Sequence, residues 1–209
     1  VAYSILAYKS AVLKTDFPHI YMTAVINSYE GKFENIAHSI KVAKDMGINV
    51  IIPKWNEIKG RTWTDNKNIY LGFNSIKNLN QDKGNALNQS ATEIEYDNFF
   101  DVVRQIQEKT KELGHKIGDS DISQMIELNM FSEFGSISHV RELYKLYSYR
   151  DRKSIQKKQI HKTPFTEEYI RQYSGGETEK SFTKVDFNSL IDDFEIKTTP
   201  NPFDKLIEE

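Results

Sequence analysis

The 209-residue chain has no cysteine, which excludes disulfide scaffolds, thiolate metal sites and cysteine nucleophiles and makes a reducing cytoplasm its natural setting. Apolar residues are scarce for a single compact globule, at 38% with a mean hydropathy of −0.60. That balance points to one or two small domains, thin or partly linker-like, whose remaining surface something else covers. No apolar run approaches a membrane span. There is neither a starting Met nor a signal-peptide pattern; Val1-Ala2-Tyr3-Ser4-Ile5-Leu6 opens mid-pattern, as though a helix had been cut into. The net charge of −2 hides local asymmetry.

Catalytic signatures are missing too. The five histidines, His19, His38, His115, His139 and His161, lie too far apart for a metal triad. Glu34 and His38 sit one helical turn apart, as a solvated pair would. No paired aspartates stand in an extended apolar setting to hold two magnesium ions, and there is no P-loop, G-x-G-x-x-G or nucleophile elbow. No catalytic and no metal-ligating residue is therefore assigned, and this stretch is expected to catalyse nothing alone.

What is present is mainly helical. Ile5, Leu6, Ala7, Ala11, Val12 and Leu13 predict a helix over residues 3–14 that is buried on more than one face. Pro18 starts a second helix and Gly47 caps a third. The β-branched run Val50-Ile51-Ile52 predicts a short strand ended by Pro53. Residues 54–72 read as a hairpin or loop with Thr62-Trp63-Thr64 extended. Further helices are expected over residues 82–87, 99–113, 121–131 (N-capped by Asp119 or Ser120) and 138–147. Beyond that, a basic stretch from Arg141 to Lys162 is followed by short amphipathic pieces, separated by Gly175-Gly176 and Pro200-Asn201-Pro202, which reads as an extended linker.

The run Gly72-Phe73-Asn74-Ser75-Ile76-Lys77-Asn78-Leu79-Asn80, an extended stretch leading through a small turn into a helix, has the layout of a helix-hairpin-helix, which aims backbone N–H groups at phosphate. The basic stretch, with Arg150, Arg152 and Lys153 at its centre and Tyr144, Tyr147 and Tyr149 interleaved, is a solvated face or a sequence-independent phosphate contact.

The opening Ala2-Tyr3 … Tyr8 … Leu13-Lys14 … Pro18, followed by Met46-Gly47-Ile48, a strand ending at Pro53, Gly72, Ile76-Lys77-Asn78-Leu79-Asn80 and Phe131 to Gly135, resembles the C-family DNA polymerase III alpha subunits in order and spacing over roughly residues 1–148. The resemblance implies the end of the polymerase fingers (1–53), a tandem helix-hairpin-helix region with a small β element (54–148) and a linker toward an OB-fold module (149–209). It implies nucleotide contacts from Tyr3 and Lys9, and DNA contacts from Lys14, Lys77, Asn78, Asn80, Arg150, Arg152 and Lys153. Partners would be primer–template DNA, dNTP, the remaining polymerase domains and other replisome proteins, with no membrane. Mg²⁺ would belong to the palm, outside this chain. The family hairpin has glycines where this chain has Asn78 and Asn80, and paired basic residues where it has Asp119-Ser120-Asp121, which makes that second hairpin structural. The competing expectations are a stand-alone DNA-binding or polymerase-accessory module, and a helical adaptor that binds only protein.

Overall fold

The computed structural model describes residues 2–150, 152–194, 204 and 207. The chain is mainly helical with two small sheets, and it divides into two units, Val1–Ile137 and Ser138–Ile207.

The first unit begins with α1 (Ala2–Asp16), α2 (Pro18–Ser28) and α3 (Phe33–Asp45). Proline at the first position of α2 lacks only an N–H that would have been orphaned there. At the end of α3, Gly47 takes φ +77°, so Ile48 N–H reaches Ala43 O at 3.0 Å and Gly47 N–H reaches Lys44 O at 2.9 Å. That doubly bonded stop also turns Ile48 into the core beside Ala43. Met22, Ile26 and Ile36 complete this core with Ile69 and Leu71. The sheet has the order β1 (Asn49–Ile51), β3 (Asn68–Tyr70), β2 (Trp63–Thr64). β1 runs parallel to β3, pairing Val50 with Ile69, while β2 is antiparallel, pairing Trp63 with Tyr70. The β2–β3 turn is fastened by Asp65, whose carboxylate accepts the N–H groups of Asn68 and Lys67 and the Tyr70 hydroxyl. These bonds, led by that from Asn68, pull its pKa down to about 2.

Then come α4 (Gln81–Ala91), α5 (Phe99–Glu112) and α6 (Asp119–Glu127). Val102, Val103 and Ile106 on α5 and Ile122, Met125 and Ile126 on α6 are all buried, at helical spacing. The helix expected to be N-capped by Asp119 or Ser120 is instead capped at Gly118, because the Asp121 carboxylate reaches back to the Gly118 N–H at 2.8 Å.

One expectation fails here. Instead of being buried on more than one face, α1 is exposed along almost its whole length within this chain, with Tyr3 89%, Tyr8 71% and Leu6 61% accessible.

The second unit holds α7 (Ile137–Tyr147) from its second residue on, then β4 (Ser154–Gln156), α8 (Glu167–Gln172), β5 (Ser174–Glu177), β6 (Ser181–Val185) and α9 (Phe187–Asp192). The linker expected over residues 149–209 gives way, among the described residues, to an antiparallel sheet of order β4-β6-β5 with its own core. Phe165, Ile170, Phe182, Phe187 and Leu190 fill that core. The Gly175-Gly176 pair, read from sequence as a separator, lies inside β5. Lys184 opposite takes φ +50°, and a Cβ on Gly175 would meet the Lys184 Cβ at 3.1 Å. Glycine here makes room across a locally distorted strand. The breaker Pro200-Asn201-Pro202 lies outside the described residues.

Candidate nucleic-acid interface

The turn before α4 is built from two buried anchors and two exposed residues. Ile76 and Leu79 are each 6% accessible, while Lys77 and Asn78 face solvent between them. A three-residue 3-10 turn, Phe73–Ser75, precedes it in place of a full helix. Asn78 takes φ +68°, the left-handed conformation that a glycine would supply, and asparagine adopts it more readily than other non-glycine residues. Asn80 does something different. It is extended, at φ −136°, and its Oδ1 accepts the Lys83 N–H at 2.9 Å as the N-cap of α4.

The backbone donors of this segment divide into two sets. Ile76 N–H is bonded to Phe73 O, Leu79 N–H to Ile76 O and Gly84 N–H to Asn80 O. Among the described residues, the N–H groups of Lys77, Asn78, Asn80, Gln81 and Asp82 donate to no group of the chain. Five donors thus gather at the start of an eleven-residue helix, where the macrodipole adds partial positive charge. Two cations flank them: exposed Lys77, and Arg61, whose Nε donates to Gln81 Oε1 at 3.0 Å. Arg61 was missed in the sequence reading, since only the fold brings it beside a helix that begins twenty positions later. Asp82 in the first turn is the opposing charge.

The segment is closely packed and tied to its neighbours. Gly84 of α4 is buried against the Lys59–Arg61 loop, and a Cβ there would lie 2.8 Å from the Gly60 Cα and 2.9 Å from the Phe73 Cβ. Lys83 Nζ meets Asp121 Oδ2 at 2.7 Å, tying the start of α4 to the start of α6. The Asp119-Ser120-Asp121 segment therefore spends its one buried carboxylate on structure.

The other expected site residues stand on other elements, and some are engaged with neighbours of their own. Tyr3 and Lys9 are both exposed on α1, but six residues apart they point about 120° apart around the helix axis. Lys14 lines a shallow cleft of about 220 Å³ with Tyr21, Tyr29 and His38. In the second unit, Arg150 Nη2 bonds to Asp192 Oδ1 at 3.0 Å. Arg152 lies 4.6 Å over the Tyr149 ring and its Nε donates to Ser148 O. Lys153 is exposed. Tyr149 itself packs on Phe165 and Phe187. Among the described residues, no group of three or more His, Asp or Glu side chains is arranged to hold a metal ion, and no helix is long and apolar enough to cross a membrane.

No family model matches the chain. Its sequence is similar to three curated proteins, each a DNA polymerase III subunit alpha. The protein from Borreliella burgdorferi is 27% identical over 148 residues, 68% of this chain and 13% of that protein. The one from Mycoplasma genitalium is 30% identical over 80 residues, 38% of this chain and 9% of that protein. The one from Campylobacter jejuni is 25% identical over 138 residues, 64% of this chain and 11% of that protein. This chain thus spans only about an eighth of the length of the first of these relatives. It is a distant relative of one region of the DNA polymerase III alpha subunits.

Proposed function

We propose that the chain is a segment of a replicative DNA polymerase, working in the cytoplasm, that grips duplex DNA and borders the incoming nucleotide without carrying the reacting carboxylates. The observation that supports this best is the turn at residues 76–82, five unengaged N–H donors at a helix start with Lys77 and Arg61 beside them, in a chain related to these polymerases. Backbone donors of this kind fix a phosphate without reading its base. Asn78 keeps the turn, so the family's glycine is replaced there without losing the geometry. The helical segment over residues 1–53 is read as the end of the fingers, with Tyr3 and Lys9 nearest the dNTP. The carboxylates that hold Mg²⁺ for phosphoryl transfer would lie in a palm outside this chain, and other replisome proteins would be further partners.

The experiment is fluorescence anisotropy of the chain with a primer–template duplex, titrated across salt, for the wild type and for Lys77→Ala and Arg61→Ala. Each cation that neutralises a phosphate contributes about 0.9 to the slope of log affinity against log salt, so each variant should flatten the slope by roughly one. Salt-insensitive binding, or slopes unchanged in both variants, would sink the turn as a phosphate grip. A second reading, an adaptor that binds only protein, is favoured by the intrachain engagement of Arg150 and Arg152. A folded chain with no duplex affinity at low salt would select it.

A further inference from the structure

We infer that α1 is a docking helix, and that its occupant is a protein surface of the rest of the polymerase, one that closes around it from several sides; this rests on the polymerase reading above. Exposed large apolar side chains concentrate on this helix. Tyr3, Ile5, Leu6, Tyr8 and Leu13 are 89, 49, 61, 71 and 47% accessible, and Phe17 and Ile20 just beyond it are 53 and 48%. Within the chain the principal packing partner of α1 is α2. Single exposed apolar residues are ordinary on a protein surface, but a contiguous set marks an interface.

The distribution around the axis identifies the occupant. At 100° per residue, Tyr3, Tyr8, Val12 and Leu6 point to roughly 0°, 140°, 180° and 300°, so apolar side chains stand on every side of the first three turns, with Ser4, Lys9 and Ser10 between them. A helix that presents large apolar side chains on every side is suited to the inside of protein. A lipid surface suits a helix with one apolar and one cationic face, whereas α1 carries only Lys9 and Lys14 as cations, on no separate polar face. At fifteen residues it is about 22 Å long, short of the roughly 30 Å hydrocarbon layer. A duplex would require more positive charge than two lysines, and a dNTP beside Tyr3 and Lys9 would leave most of the helix uncovered. A two-fold pairing with a second copy would cover one stripe and leave the opposite face wet. An enclosing protein pocket remains, and the related polymerases have most of their length outside the aligned region, which covers 13% and 11% of two of them.

The test places a photo-reactive benzoylphenylalanine at Tyr8, in cells that make the protein natively, with the same group at exposed Glu112 of α5 as control. The expected result is a cross-link from position 8 to polypeptide bearing the polymerase carboxylates, identified by mass spectrometry, on the same chain or a separate one. Leu6→Glu in the same background should reduce that cross-link at least about tenfold, the effect of removing an interface anchor. It should leave the thermal unfolding of the chain unchanged, because Leu6 is already exposed. A cross-link to a second copy, to lipid or to nucleic acid overturns the proposal. So does a polymerase polypeptide that co-purifies but cross-links only from position 112, an outcome that leaves the polymerase reading standing. If no polymerase polypeptide co-purifies and duplex affinity is absent as well, both fall.

Discussion

Asn74 Nδ2 donates to Asn27 Oδ1 at 2.9 Å, joining two side chains 47 positions apart and binding α2 to the loop that leads into the turn before α4. The Asn27 amide is used at both ends: its Nδ2 donates to Thr62 O at 2.8 Å and its Oδ1 also accepts the Thr62 N–H at 3.1 Å. Thr62 in turn accepts the Gly72 N–H and lies 2.7 Å from the Ser75 hydroxyl.

Because Thr62, Asn74 and Ser75 are buried, Asn27→Leu leaves polar groups without partners in the interior. The expected cost is about 1–3 kcal/mol, read as a lower midpoint in urea unfolding. Val25→Leu on the same helix, outside the network, serves as control. An Asn27→Leu midpoint equal to the wild type would show that the network does not hold the loop.

The Lys83–Asp121 pair is asymmetric in burial, with the carboxylate side chain 5% accessible and the ammonium 25%. Lys83→Met leaves a buried carboxylate with only the Gly118 N–H, while Asp121→Asn keeps a neutral acceptor for both donors. Lys83→Met is therefore expected to cost more, about 2–4 kcal/mol, and to weaken the α4 end where the unengaged N–H groups lie. Equal midpoints for the two variants would refute that ordering.

In an ordinary helix Gly→Ala is stabilising by about 1 kcal/mol. Gly84→Ala should do the opposite. Its Cβ would meet the Gly60 backbone at 2.8 Å and Phe73 at 2.9 Å, and overpacking against backbone costs about 1–3 kcal/mol. A higher melting temperature for this variant would mean that the loop gives way easily.

Acid should act on the second unit through Glu177. Arg171 and then Lys157, at 2.9 and 2.6 Å, hold its carboxyl at about 2 in place of an ordinary 4.5. A pKa depressed by folding stabilises above the unfolded value and is lost as pH falls through the folded one. The contribution is thus whole above pH 4.5 and disappears toward pH 2. Glu177→Gln should unfold more readily than the wild type at neutral pH, with the difference vanishing in that acid window. A difference that is flat across the window would contradict the assignment.

Much of the fold could be read from local chemistry. Pro18 and Gly47 set helix ends because their φ preferences act within one turn, and the α5 stripe of Val102, Val103 and Ile106 follows from helical periodicity alone. The sequence also showed that residues 76–80 form a turn, and that asparagine could stand where a glycine was expected. Other features depended on partners far away along the chain. Arg61 reaches Gln81, and Lys83 reaches Asp121, only once α4 and α6 are packed. Arg150 reads as a free cation until Asp192 folds beside it. The glycines of β5 read as a linker because a strand's stability comes from cross-strand pairing, which one segment's composition does not contain. The apolar character of α1 was plain in the sequence, but that it lies uncovered here could be decided only by tertiary structure, because exposure depends on which surfaces are present to pack against it.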